Sequence, residues 1–355
     1  MKINRQLIGF KNSFTLESGK VLSGFELMVD TYGELNSDAS NAILVCHAFS
    51  GNHHAAGKHE TDTTEGWWDQ MIGPGKAIDT NKYFIVCPNN LGGCAGSTGP
   101  TSINPASKEP YGGDFPVVSV SDWVNSQKLL MEHLGINKWE IVIGGSLGGM
   151  QALEWSLSYP HLVNKAGVIA AAAKASTQNI GMNEVAREAI RKDENFHDGN
   201  YLAMRTKPKR GLKTARMLGH ITYLSEEHMN LRFGRKVQNE DTKIDGYVDF
   251  EIENYLKYKG EKFSDSFDAN SYILMTKAMD GYDPASKKNG NLTKAMEPIK
   301  AKLLIVGFET DWLFPAKRGK EIQAAAMNAN ILSSFVILPG NQGHDSFLFH
   351  TPEYE

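Results

Sequence analysis

The chain has 355 residues, of which 41% are hydrophobic and 22% charged, and its formal net charge is −4 at pH 7. This slightly acidic, globular composition argues against nucleic acid or an anionic membrane surface as a partner. No apolar run approaches the roughly 18 residues of a membrane span, residues 1–14 lack a signal-peptide core, and three cysteines suit a reducing compartment, so we expect a cytoplasmic protein.

Short apolar runs separated by helical patterns organise the first half of the chain. Residues 13–35 alternate apolar and polar side chains around Ser18-Gly19, which predicts antiparallel strands joined by a turn. The spacing over residues 120–134 predicts a helix. Six runs predict strands buried on both faces: 42–46, 83–87, 140–143, 167–170, 303–306 and 335–338. Strands alternating with helices predict a mostly parallel, doubly wound α/β sheet.

The pattern changes after Ala173. Residues 174–298 are mostly helical in pattern, including 183–192 and 211–224, and contain no convincing buried strand. The simplest interpretation is a helical lid inserted between two strands of a core domain formed by residues 1–173 and 299–355. The last residues resemble the start of a helix, so we expect a short further C-terminal stretch.

The segment Gly144-Gly145-Ser146-Leu147-Gly148 joins a predicted strand to a predicted helix. Glycines two residues before and after the serine allow the close approach and the strained turn that G-x-S-x-G requires, and this predicts Ser146 as the nucleophile of an α/β-hydrolase fold. A dinucleotide-binding loop would need an acidic residue after the next strand, and residues 167–173 provide none. A P-loop would need Gly-Lys-Ser/Thr, which is absent here.

A serine nucleophile needs a general base and a carboxylate that orients the base, and in this fold they follow later in the chain, acid first. Asp311 and His344 each lie in a loop after a predicted strand, so we predict them as acid and base. Glu309 competes with Asp311, which is preferred because it lies deeper in its loop, directly before an apolar stretch. Asp345 is a poor candidate for the acid because it is adjacent to the base.

The oxyanion of an acyl-transfer intermediate needs two backbone donors, for which we predict the amides of Leu147 and Phe49. His47 lies in the same loop as Phe49, and support of that loop is a better interpretation than a role as base. A solvated loop without metal is the better interpretation of a further group of histidines: His53, His54 and His59.

Seven stretches carry a closer resemblance: GWWD at 66–69, GPGK at 73–76, NLGGCAGSTGP at 90–100, GGSLGGMQALEW at 144–155, ARMLGHITY at 215–223, DWLFP at 311–315 and GHDSFL at 343–348. They resemble the homoserine O-acetyltransferase family, the MetX-type acyltransferases of methionine biosynthesis. The stretches run from the first strands to the last loop, so the resemblance covers nearly the whole chain.

The resemblance implies that acetyl-CoA acylates Ser146, that CoA leaves, and that the hydroxyl of L-homoserine then accepts the acyl group, with His344 as base in both halves. It implies no cofactor beyond acetyl-CoA as co-substrate, and a helical lid that forms a homodimer. It also implies substrate contacts from Arg216, Tyr223 and Asp345. A guanidinium suits the carboxylate of an amino acid, and a carboxylate suits its ammonium group.

Several alternatives remain open. The motifs do not separate acetyl from succinyl donors or homoserine from serine acceptors, and water as acceptor would give an esterase or thioesterase. A non-catalytic binding protein is disfavoured because the three predicted catalytic residues are all present. Ordinary interpretations exist for Arg216 (a solvated helix charge), Tyr223 (lid packing) and Asp345 (the N-cap of a helix near Ser346). The 90–100 loop resembles a phosphate cradle, but a tight structural turn is favoured.

Overall fold

The computed structural model describes residues 1–60, 62–238, 249–350 and 353–354. Its centre is a sheet of eight strands, which we label in chain order: β1 Ile3–Phe10, β2 Phe25–Tyr32, β3 Ala42–Cys46, β4 Phe84–Pro88, β5 Trp139–Gly145, β6 Val163–Ile169, β7 Lys302–Phe308 and β8 Ser333–Leu338. Their order across the sheet is β1-β2-β4-β3-β5-β6-β7-β8. Strand β2 runs opposite to the other seven strands of this sheet, so the prediction of a mostly parallel sheet is confirmed.

Helices cover the sheet and fill the segment between β6 and β7. Their bounds are α1 Val120–His133, α2 Leu147–Ser158, α3 Thr177–Arg191, α4 Lys209–Tyr223, α5 Glu226–Arg232, α6 Glu251–Ser266, α7 Ala269–Gly281, α8 Leu292–Met296 and α9 Ala316–Asn328. Short 3-10 helices span Gly112–Asp114, His197–Gly199, Ser286–Lys288 and Gly343–Leu348. In the described ranges, no helix combines the length and apolarity needed to cross a membrane.

The core has two layers, one on each face of the sheet. One layer is formed with α1, α2 and α9, and its buried side chains include Trp123, Leu153 and Ile322. The other layer has no long helix and is closed instead by Trp68 and Phe347, which are linked by a hydrogen bond of 2.9 Å from Trp68 Nε1 to the Phe347 carbonyl. The residues after the last strand therefore help to close the core.

The strands at the two edges of the sheet depart from the sequence predictions. The 335–338 run was expected to be buried on both faces, but β8 is an edge strand in which Val336 and Ile337 are each 37% exposed. Strand β1 was not predicted, because its burial pattern contains a single buried side chain, Ile8, and so no apolar run. The predicted N-terminal turn around Ser18-Gly19 joins two-residue strands at Phe14–Thr15 and Val21–Leu22.

Helices α3 to α8 lie between β6 and β7. The predicted helices 183–192 and 211–224 correspond to α3 and α4, and α3 begins earlier because Ser176 and Asn179 form a capping box. Helices α3 and α4 pack closely at Gly211, where a Cβ atom would lie 2.3 Å from the Ala189 carbonyl oxygen. We refer to this segment as the helical insertion.

Candidate active site

Ser146 lies in a strained turn between β5 and α2, with φ +57° and ψ −120°. Its N–H donates to the Ile169 carbonyl on the neighbouring strand at 2.9 Å. A Cβ atom on Gly144 or Gly148 would lie 2.5 or 2.0 Å from the Cys46 carbonyl oxygen, so both positions require glycine. The turn thus holds the serine hydroxyl at the carboxyl end of the parallel strands.

The structure brings Ser146, His344 and Asp311 into one hydrogen-bonded row. His344 Nε2 lies 2.8 Å from Ser146 Oγ, and His344 Nδ1 lies 2.8 Å from Asp311 Oδ2. All three residues are buried. Because a carboxylate can only accept, Nδ1 carries the ring proton and Nε2 is free to accept from the serine hydroxyl. Glu309, the competing acid, is exposed.

The charges around His344 favour its protonated form. Burial opposes the imidazolium, but the carboxylates of Asp311 and Asp345 outweigh burial and raise the pKa of His344 above its ordinary value. Burial also raises the pKa of Asp345 to about 6, against the opposing influence of His344 and Arg216. At neutral pH Asp345 is therefore mostly ionised and available to a cation.

Hydrogen bonds between loops fix the position of the acid relative to the base. Thr310 Oγ1 donates to the Gly340 carbonyl and accepts from the Gly343 N–H at 3.1 Å. The Trp312 indole donates to the Leu224 carbonyl at 3.1 Å. The hydrogen bond from Trp312 to Leu224 connects the Asp311 loop to the end of α4, so the helical insertion and the sheet loops are in contact at this point.

Two backbone amides are available for a developing oxyanion. In the described ranges, neither the Leu147 nor the Phe49 N–H has a hydrogen-bond acceptor. Leu147 is the first residue of α2, where the helix dipole adds positive charge. Phe49 lines the same cavity as Ser146. The predicted pair thus remains unpaired near the nucleophile.

His47 supports the loop that carries Phe49. Its Nδ1 lies 2.8 Å from the Ala48 carbonyl, and its Nε2 accepts from the Asn90 N–H at 3.0 Å. These partners fix the proton on Nδ1. Burial lowers the pKa of His47 to about 4. Both nitrogens are therefore occupied, and the ring orients the loop instead of accepting a proton from substrate.

The cavity beside Ser146 is closed by α3, α4, α7 and the Asp311 loop. Its lining includes Met182, Leu218, Tyr272, Leu313 and Phe314, with no charged side chain among the lining residues. We call this cavity the apolar lobe. It suits an uncharged chain next to the nucleophile.

A second, charged region adjoins Tyr223, which also lines the apolar lobe and whose ring centroid is 6.3 Å from that of His344. The Arg216 guanidinium lies 5.5 Å from the Tyr223 ring and 4.5 Å from the Phe263 ring. Within the described ranges, its Nε and Nη1 are buried without a hydrogen-bond partner, so Arg216 is not an ordinary solvated helix charge. Asp345 lies within Gly343–Leu348, so the N-cap interpretation is wrong. We call Arg216, Tyr223 and Asp345 the polar lobe.

The histidines of the 53–59 segment belong to a structural network. His53 is buried, which corrects the expectation of a solvated loop. His54 lies 3.3 Å from Asp30 and 3.2 Å from Asp62. Within the ranges that the structure describes, no group of three or more His, Cys, Asp or Glu side chains is arranged to hold a metal ion.

The 90–100 loop closes on itself. The Gly92 N–H donates to the Thr98 carbonyl at 2.8 Å, and Ser97 Oγ donates to the Asn89 carbonyl at 2.7 Å. These contacts are those of a tight structural turn rather than an open cradle of amides.

The sequence of this chain is similar to a known family and to known enzymes. A family model described as the α/β hydrolase fold matches residues 41–351. A homoserine O-succinyltransferase of Hahella chejuensis is 54% identical over 355 residues, covering 99% of this chain and 92% of that protein. The chain belongs to the MetX-type acyltransferases of the α/β-hydrolase fold.

Solved structures resemble this MetX-type acyltransferase over nearly its full length. A homoserine O-acetyltransferase from Bacillus anthracis superposes with a TM-score of 0.91 at 29% identity, covering 98% of this chain and 94% of that one. Esterase E22 superposes with a TM-score of 0.88 at 33% identity, covering 97% and 95%. The predicted fold and family resemblance are confirmed, and the same architecture is found in both a transferase and an esterase.

The polar lobe of this MetX-type acyltransferase extends to residues that the sequence analysis did not single out. His220 is 6% exposed, and neither of its ring nitrogens has a hydrogen-bond partner among the residues that the structure describes. Its ring lies 6.1 Å from Tyr223 and 5.7 Å from Tyr255. The sequence could have indicated His220 as a neighbour of Arg216, because it lies one helical turn later on α4. Lys259 on α6 gave no such signal.

Proposed function

We propose that this acyltransferase transfers a succinyl group from succinyl-CoA to the side-chain hydroxyl of L-homoserine, through an ester on Ser146. The choice of homoserine as acceptor rests on one observation. Two buried nitrogens of Arg216 have no hydrogen-bond partner among the described residues, and they lie in the same lobe as Asp345. A free amino acid carries a carboxylate and an ammonium group, which are complementary to these two side chains.

The donor is the point at which the proposal differs from the acetyl group expected from the sequence. The Hahella chejuensis homoserine O-succinyltransferase is 54% identical to this chain, against 29% for the Bacillus anthracis homoserine O-acetyltransferase. This difference supports succinyl-CoA. Acetyl-CoA is the second candidate, because the apolar lobe contains no charged side chain to bind the free carboxylate of a succinyl group.

In the first half-reaction, His344 Nε2 accepts the Ser146 proton while Oγ attacks the thioester carbonyl carbon. The Phe49 and Leu147 amides donate to the resulting oxyanion. The carbon–sulfur bond then breaks, and the imidazolium of His344 returns its proton to the leaving sulfur. CoA leaves as a thiol and Ser146 carries the acyl ester.

In the second half-reaction, homoserine binds with its carboxylate on Arg216 and its ammonium group on Asp345. His344 accepts the proton of the substrate hydroxyl, whose oxygen attacks the acyl carbon. The bond from that carbon to Ser146 Oγ breaks, and His344 returns the proton to Oγ. No metal or cofactor takes part. Fixing both ends of the amino acid aims its hydroxyl at the ester, so that it outcompetes water.

The exposed apolar side chains Val185, Ile221 and Leu231 on the helical insertion support the homodimer expected from the resemblance. We propose that the dimer acts in the cytoplasm, where acyl-CoA and free amino acids are both available.

A panel of two donors and two acceptors tests the proposal. Free thiol release by the purified enzyme is measured with succinyl-CoA or acetyl-CoA, each with L-homoserine, L-serine or no acceptor. We expect the fastest release with succinyl-CoA and homoserine. Faster release with acetyl-CoA would select the second donor. Release that is equal with and without acceptor would identify an esterase or thioesterase, as the likeness to esterase E22 allows.

Replacing Arg216 with methionine is expected to separate the two half-reactions. Removing one partner of a buried charge pair costs about 2–5 kcal/mol, so the KM for homoserine should rise by at least about 30-fold. Acylation of Ser146 should change only a few-fold, because the donor does not need the amino-acid contacts. The KM values and the single-turnover acylation rate measure the two effects. Asp345→Asn should act in the same direction.

The matched control is Arg210→Gln, which removes an 86% exposed guanidinium from the same helix and should leave both constants unchanged. Equal losses of acylation and transfer in Arg216→Met would contradict the assignment of Arg216 to the acceptor.

A further inference from the structure

Three cations lie around Tyr255 near the polar lobe. Lys259 Nζ lies 5.6 Å and the Arg232 guanidinium 4.8 Å from the Tyr255 ring centroid. Arg216, Arg232 and Lys259 have no carboxylate within 4.0 Å in the part of the chain that the structure describes. Three positive charges close together, without ion pairs among the described residues, form a region suited to bind an external anion.

Three acidic side chains of α6 are already engaged. On α6, Glu261 pairs with Lys213 at 2.7 Å and Asp265 with Lys209 at 2.6 Å. Glu253 accepts from the Phe250 N–H at 2.7 Å. Asp345 is the carboxylate that faces the cluster, and burial already raises its pKa.

The positive charges of the cluster change the pKa of Lys259. Burial lowers the pKa of Lys259, and the charges of Arg216, Lys262 and Arg232 lower it further, while Asp345 opposes them. The proposed acceptor is a zwitterion whose carboxylate pairs with Arg216 and whose ammonium group pairs with Asp345. Arg232 and Lys259 then remain as two positive charges that the amino acid does not use.

The position of these two charges relative to Ser146 indicates what they bind. A series of ring contacts leads from His344 through Tyr223 and His220 to Tyr255, and the two cations lie at its outer end. Arg232 is exposed and Lys259 is half-buried. An acyl carboxylate would remain beside Ser146, whereas the pantetheine arm of CoA holds its phosphates far from the thioester.

We propose that Arg232 and Lys259 form the subsite for the phosphate groups of the CoA donor. This inference rests on the proposed function, since it takes an acyl-CoA as the donor. The chain has a net charge of −4, so a multiply charged donor needs a local positive region to approach the site. Contacts with exposed cations also make donor binding sensitive to salt.

Adenosine 3′,5′-bisphosphate, which carries part of the CoA phosphates without the acyl arm, tests the subsite directly. Its dissociation constant is measured by calorimetry on the wild-type enzyme and on Arg232→Gln, Lys259→Met and the double variant. We expect the double variant to bind about tenfold more weakly, and the loss to shrink as salt is raised. Arg210→Gln, which removes one positive charge, is the control for each single variant.

A kinetic comparison separates the phosphates from the rest of the donor. The ratio of kcat/KM for succinyl-CoA to that for the succinyl thioester of N-acetylcysteamine, which has no phosphate, should fall about tenfold in the double variant. An unchanged ratio, an unchanged dissociation constant, or a selective rise in the homoserine KM would overturn the proposal. Homoserine-dependent thiol release by the wild type is measured in parallel, so failure of the proposed function is seen separately.

Discussion

Replacing Ser146 with alanine is expected to lower kcat by about 10⁴–10⁶-fold and to abolish the acyl-enzyme. The hydroxyl 2.8 Å from His344 Nε2 is the atom that would form the ester, and alanine offers no nucleophile in its place. Intact-mass measurement after incubation with succinyl-CoA, without homoserine, is the direct check. The wild type should gain the mass of one succinyl group, and the variant should gain none.

Ser156→Ala provides the matched control. Ser156 is a buried serine of α2 whose hydroxyl donates to the Ala152 carbonyl at 3.1 Å, away from the nucleophile turn. Its loss should leave the acyl-enzyme and the turnover close to wild type. An acyl adduct of unchanged yield on Ser146→Ala would mean that another residue is the nucleophile.

Replacing Asp311 with asparagine is expected to lower kcat by about 10⁴-fold and to move the acid limb of the pH profile to lower pH. An amide at this position can donate to the ring, which favours the wrong tautomer of His344. The Asp311 carboxylate also helps to raise the pKa of His344 against the effect of burial. Because the neutral ring is the base, activity falls as pH falls through this pKa.

The pH profile of kcat/KM measures both parts of this prediction. The acid limb of the wild type should lie above the ordinary pKa of 6.5 for histidine, and that of Asp311→Asn below the wild-type limb. Glu309→Gln removes the exposed carboxylate two residues away and should leave rate and profile unchanged. A large loss in Glu309→Gln with a near-normal Asp311→Asn would reverse the assignment of the acid.

Much of the site was predictable because its signals are local in the sequence. The glycines around Ser146 are imposed by contacts below 3 Å with the Cys46 carbonyl, so the motif records a steric requirement. The buried strands produce apolar runs, and the order of acid and base along the chain follows from the order of the strands. Asp311 was preferred over Glu309 for its position in the loop, and it is the carboxylate that contacts His344.

Other features depend on tertiary neighbours, which a single sequence does not reveal. The edge strands β1 and β8 lack the apolar runs or the burial of central strands, since one side of each has no neighbour. The burial of His53 follows from its packing beside Asp30, which lies on a distant strand. Likewise, Lys259 and Arg232 became candidates only because they have no carboxylate partner in the described part of the chain.

The 198-residue separation between Ser146 and His344 has a consequence for incompletely synthesised or proteolysed chains. Phe347, near the end of the chain, packs against Gly145 of the nucleophile turn, whereas β3, β5 and β6 are all synthesised before the helical insertion. The base and the acid both come after it. A polypeptide that ends before residue 344 therefore lacks both the base and the side chain that packs against the turn. We expect such a fragment to form no acyl-enzyme, because its Ser146 has no base to deprotonate it.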